Sequence, residues 1–257
     1  MITLEAALAA AATLIALAFA CSTLERWLAR RRRHELAWTL SLTFFAVASA
    51  ALWLGATRGW EAPTFRVFFL FGAILNVPWL AMGSVYLLWG PRRGDPIAVI
   101  LAVLSGFAAG VMVVAPLVGP ILPDALPQGK EVFGVLPRVL AAVASGIGAV
   151  VVIALALVSA WRVRRGRSRS KAAAGPIARP GRLALGNLLI VAGTLVLAAS
   201  GTLNARLGEM TAFAVTLVVG VAILFCGFLV ATSATAPARS PRSAQDAPED
   251  LAAHALG

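Results

Sequence analysis

Charge is what this sequence has least of. Only 13% of its 257 residues are charged and mean hydropathy is +0.88, whereas a soluble domain carries roughly 25% charged residues. That balance excludes an ordinary water-soluble domain and makes the chain a membrane protein before any segment is located. Cysteine is scarce. Cys21 and Cys226 both fall in apolar runs and neither belongs to a CxxC, so no disulfide framework or zinc site follows. The two histidines, His34 and His254, lie outside the apolar runs, which excludes a haem held between intramembrane histidines. Lysine is limited to Lys130 and Lys171. The last apolar run has none, which excludes a retinal Schiff base.

What is present is a series of long apolar runs. A helix needs about 20 apolar residues to cross the hydrocarbon. Seven stretches meet that length: Thr3–Leu24, Leu36–Ala56, Phe65–Trp89, Ile97–Leu117, Val139–Trp161, Leu183–Leu203 and Met210–Thr232. Their only charges are Glu5 and Arg66, each near the start of its run. Buried ionisable groups are costly in lipid and mark ion paths. Their absence from the middle of every run argues against a proton pump, a proton-coupled transporter with a buried carboxylate, and a voltage sensor. No run offers a catalytic histidine, paired aspartates or a metal-ligand cluster, so an enzyme is not expected and neither is a cofactor.

Arginine and lysine set the expected orientation. The connections after runs 1, 3 and 5, with the C-terminal tail, hold 17 of the 22 basic residues, among them Arg30 to Arg33, Arg92 and Arg93. The other side holds Arg58, Arg66, Lys130, Arg138 and Arg206. The asymmetry alternates at every connection. It predicts an all-α polytopic bundle of seven transmembrane helices, N-terminus outside and C-terminus cytoplasmic. The transmembrane domain covers 1–233, and a disordered cytoplasmic tail covers 234–257. A cleaved leader carries positive charge before its apolar core. Here the charge follows, in ERWLARRRRHE, so the first helix is expected to stay.

The outer connection Pro116 to Arg138 is long and proline-rich, which prevents a continuous helix; its apolar residues favour contact with the interface. The inner connection Trp161 to Arg182 is basic and rich in Gly, Ser, Ala and Pro, and reads as disordered. Beside an anionic leaflet such arginines attract lipid headgroups. Nucleic acid is not an expected partner, because no aromatic platform accompanies the charge. His34–Glu35 reads as a helix start, where acidic residues are favoured.

The third run, FRVFFLFGAILNVPWLAMGSVYLLWG, carries Asn76, Pro78 and Trp79 at its middle. Pro78 has no amide hydrogen, so the Ile74 carbonyl loses its helical donor. In lipid that carbonyl must be satisfied elsewhere, and a helix kink is expected at Pro78. Gly72, Asn76, Trp79, Gly83, Tyr86 and Gly90 recur at steps of 4, 3, 4, 3, 4, the seam of a left-handed helix pair. Other runs carry small-residue seams: Ser41, Ala48 and Gly55; Gly106 and Gly110; Ser145, Gly146 and Gly148; Asn187, Thr194 and Gly201; Thr216, Gly220 and Gly227. These are either packing seams with interhelical hydrogen bonds, or the lining of a ligand pocket made by Asn76, Trp79, Tyr86, Asn187 and Thr194.

The segments HELAWTLSLTFF, FRVFFLFGAILNVPWLAMGSVYLL and SGTLNARLGEMTAFAVTL resemble a family of actinobacterial multi-pass integral membrane proteins without established activity. The resemblance covers nearly all the span region. It implies a bacterial plasma-membrane setting and brings no residue roles. Three functions fit the sequence. The first is a non-enzymatic component binding lipid or a membrane protein partner. The second is a facilitator or uncoupled transporter of a small solute. The third is a seven-helix receptor signalling through partners.

Overall fold

The computed structural model describes residues 4–169, 185–186, 188–197 and 210–234. They are helical almost throughout. The helices are α1 (Leu4–Arg30), α2 (Arg33–Arg58), α3 (Ala62–Phe68), α4 (Asn76–Trp89), α5 (Pro91–Val114), α6 (Gly129–Val132), α7 (Val135–Arg169), α8 (Leu188–Leu197) and α9 (Met210–Ala234). A π-helical segment, Phe69–Leu75, joins α3 to α4 without a break. Five helices are long and apolar enough to cross a membrane: Leu4–Arg30, Arg33–Arg58, Ala62–Trp89, Pro91–Val114 and Val135–Val158.

Small residues set the packing. Lipid is as apolar as leucine, so helices associate by close van der Waals contact rather than by hydrophobic burial. α1 turns an alanine stripe inward (Ala6, Ala9, Ala12, Ala16 and Ala20 are all buried) and packs along α2. The Thr39 hydroxyl lies 2.9 Å from that of Thr23 and ties the two helices together. Between α1 and α2 the chain turns at Arg31, which takes φ +52° and stacks its guanidinium 4.8 Å from the Trp27 ring.

α2 then packs antiparallel to the third span. A methyl group at Gly72 would touch Ala48, and one at Gly83 would collide with the Trp38 indole. The predicted seam therefore does face α2 at Gly72, Asn76 and Gly83. Trp79 and Tyr86 also reach α5 with their polar atoms, while the Trp79 ring lies edge-on to Phe44 of α2. Along α9, Gly220 and Gly227 lie close against Leu197 and Ile190 of α8. Gly106 and Gly110 meet nothing within 4 Å; their face of α5 is open, and no packing seam forms there among the described residues.

One further difference from the sequence reading has a simple cause. α7 continues to Arg169, eight residues beyond Trp161, so the first part of the connection expected to be disordered is helical. Arginine is a good helix former, and five arginines there extend the helix instead of ending it. The outer connection is built into the fold. Val118 N–H donates to the Val132 carbonyl, Leu117 bridges Phe133, and Trp60 N–H donates to the Pro123 carbonyl. Phe133 is fully buried and stacks on Phe65, with ring centroids 5.2 Å apart. Trp60, Phe68 and Phe69 complete an aromatic plug under this cap.

Candidate functional site

The site begins with a proline. Pro78 cannot donate to the Ile74 carbonyl, and its ring crowds the preceding turn. The structure relieves this one turn earlier than the proline itself, in the wide π-helical turns of Phe69–Leu75. Such turns loosen the regular i→i−4 ladder and recur at functional positions. Two neighbours then hold the irregular backbone. From α7, the Ser145 hydroxyl donates to the Ala73 carbonyl. One turn on, Gly148 sits so close that an added Cβ would lie 2.9 Å from Val77 Cγ1 and 3.1 Å from Pro78 N. From α2, the Ser41 hydroxyl lies 2.8 Å from Asn76 Oδ1 and 3.0 Å from the Asn76 carbonyl oxygen, and shares its proton between them. Serines on two helices thus answer the polar groups that a proline and an asparagine place at mid-span.

The other predicted site residues are distributed. Trp79 Nε1 donates to Ser105 Oγ of α5 at 3.1 Å, and Ser105 passes its own proton to the Leu101 carbonyl at 2.7 Å. Tyr86 donates its hydroxyl proton to Asp95 Oδ1 at 3.0 Å, and its ring rests where a side chain on Gly94 would be. Asp95 also pairs with Arg33 at 3.1 Å. Thr194 is buried and donates to the Ile190 carbonyl of its own helix at 2.8 Å. Asn187 lies outside the described residues. Asn76, Trp79 and Tyr86 share one helix but address two neighbours, and Thr194 makes no described hydrogen bond to them.

Between α4, α5 and α7 lies a cavity of about 350 Å³. Its walls include Pro78, Met82, Leu104, Ala144 and Gly148, and the Ser105 hydroxyl is its single polar side chain. It therefore touches the kink from the side away from Asn76. It can accept apolar matter and offers almost no hydrogen bonds to a polar solute.

Three charged residues carry more structure than their positions in the sequence disclosed. Arg66 donates to the carbonyls of Met112, Val113 and Ala115, and so satisfies the orphan acceptors at the C-terminus of α5, where a cation also suits the helix dipole. Asp95 gathers Tyr86 and Arg33 across the α4–α5 turn. Glu35, in the first turn of α2, is 4% exposed, and its Oε2 has no hydrogen-bond partner among the described residues. Its side chain is buried and does not cap the helix. A charge at the edge of an apolar run was the only available signal for Arg66, and an acid between Gly94 and Pro96 the only one for Asp95.

Among the described residues no group of three or more His, Cys, Asp or Glu could hold a metal ion. No family model, no curated protein and no solved structure matches the chain.

Proposed function

We propose that the chain is a non-enzymatic, multi-pass component of the plasma membrane that binds lipid or a partner protein through the surfaces of its helices. In this reading it has seven spans, with the N-terminus outside and the C-terminus cytoplasmic. The five long apolar helices, the apolar helix Leu188–Leu197 and the 25-residue α9 support the span count. The alternation of arginine supports the orientation.

The observation that carries the functional reading is where the polar groups point. A solute path needs polar side chains turned toward a shared lumen. Here Ser41 answers Asn76, Ser105 answers Trp79, Ser145 answers Ala73 and Thr39 answers Thr23. The described cavity is apolar. Such hydrogen bonds contribute roughly 0.6 kcal/mol each in a membrane, so they serve to fix the register of the helices. Native mass spectrometry of the chain, released gently from its own membrane, tests this. The expected result is a lipid or a protein retained at fixed stoichiometry. Passage of a small solute through liposomes containing only the pure chain would contradict it and favour the facilitator.

A further inference from the structure

The cavity between α4, α5 and α7 has a definite shape. Its first and last lining residues are Ile74 and Val85 on the third span, Ile97 and Ala108 on α5, and Leu140 and Val151 on α7. Each pair is eleven residues apart. At 1.5 Å per residue every wall is about 16 Å long. Half of a hydrocarbon core of about 30 Å is about 15 Å. The crevice is as long as one leaflet is deep.

It also has a chemically distinct end. Five and four residues before Ile97, at the start of α5, stand Arg92 and Arg93, both exposed. The half-exposed indole of Trp89 is beside them, at the level where membrane aromatics meet headgroups. Arg33 is fixed nearby by Asp95. At the other end the crevice closes on Leu75, Ala108 and Leu140, with no cation in its lining.

We propose that this crevice holds one acyl chain of an anionic phospholipid, with the lipid phosphate at Arg92 and Arg93. Three observations converge. The walls are apolar and would leave a polar ligand unpaired. Their length fits a chain in a single leaflet. The rim supplies guanidinium groups, which bind phosphate in a fork geometry. The proposal rests on the reading of the chain as a lipid- or partner-binding membrane component, and makes the lipid specific. It also gives the third span a reason for its irregularity, because Pro78 and the facing Gly148 form part of the wall.

The test uses the full chain in nanodiscs of phosphatidylcholine. These carry a trace of chain-spin-labelled phosphatidylglycerol in one sample and of spin-labelled phosphatidylcholine in the other. Electron spin resonance reads the immobilised fraction. The expected result is stronger retention of phosphatidylglycerol, up to roughly 30-fold at low salt for two arginines near the surface, and weaker as salt rises. Arg92→Gln with Arg93→Gln should abolish the preference while leaving an immobilised chain. Ala144→Phe should fill the crevice and remove the immobilised component for both lipids. Equal retention of the two lipids by the wild type, or an unchanged immobilised fraction in Ala144→Phe, would overturn the proposal. If Ala144→Phe loses its helical circular dichroism, Leu104→Trp fills the crevice from the opposite wall. If both lose it, the exposed arginine pair decides alone. No partner protein is present in the nanodisc, so failure here leaves the partner reading standing. Loss of that reading, conversely, does not remove the lipid.

Discussion

Gly148 and Gly106 are both glycines inside membrane-length helices, and the structure gives them opposite fates. Glycine in a helix interior is less stable than alanine by roughly 0.5–1 kcal/mol, because its backbone loses more freedom on ordering. At Gly106 an added Cβ meets nothing within 4 Å. Gly106→Ala should therefore stabilise the bundle by about that amount. At Gly148 the added Cβ would lie 2.9 Å from Val77 Cγ1, 3.0 Å from Val77 C and 3.1 Å from Pro78 N. Two of those three atoms are backbone, which cannot swing aside as the end of a long side chain could. Overpacking of this kind costs roughly 1–3 kcal/mol, which exceeds the helix-propensity gain. Gly148→Ala should destabilise by a net of up to ~2.5 kcal/mol on these figures. Unfolding in mixed micelles titrated with sodium dodecyl sulfate measures both variants on one scale. Opposite signs are expected. If both variants stabilise equally, α7 does not rest on the Pro78 kink, and the reasoning that places Ser145 and Gly148 there fails with it.

Further outcomes follow from single contacts. Arg66→Leu leaves the carbonyls of Met112, Val113 and Ala115 without their charged donor, at a cost of roughly 1.5–3 kcal/mol; faster hydrogen exchange confined to the end of α5 would show it. Phe133→Ala removes a fully buried ring from the outer cap and should cost roughly 3–5 kcal/mol, with new protease cleavage between residues 117 and 133. Gly90→Ala forces a side chain into φ +73°, ψ 179°, a region almost confined to glycine; nothing crowds it in space, so the loss is backbone strain of roughly 1–3 kcal/mol, read by the same detergent titration.

Much of this architecture was legible because lipid leaves so few choices. An apolar run of about 20 residues has to be a helix in hydrocarbon, and five long apolar helices lie over the first five runs. The seam through Gly72, Asn76 and Gly83 was legible for a similar reason, since small and polar residues at heptad spacing have to face protein. What periodicity could not settle was which neighbour each seam residue faces. Trp79 and Tyr86 lie on the same 3–4 ridge as Asn76, yet their polar atoms reach α5, because their side chains are long enough to extend from that ridge to a second neighbour. Gly106 and Gly110 show the opposite failure. Their GxxxG spacing is that of a packed helix pair, but spacing alone carries no information about whether a partner is present. The serines Ser41, Ser105 and Ser145 were the quiet part of the site. A serine hydroxyl is common in membrane helices and can bond its own backbone, so only the fold shows that each of these is set opposite a polar atom of the third span.

The most direct test asks whether Asn76 is a tie between helices or the wall of a water-filled path. Cys21 and Cys226 are first replaced by alanine, and Asn76→Cys is then challenged with a charged, membrane-impermeant methanethiosulfonate from each side of a sealed vesicle. A tie against Ser41 predicts a thiol that stays unmodified while the protein is folded and reacts fully in sodium dodecyl sulfate. Rapid modification of the folded protein from either side would mean that water reaches mid-span, and would contradict the claim that the polar residues of this bundle are turned toward one another.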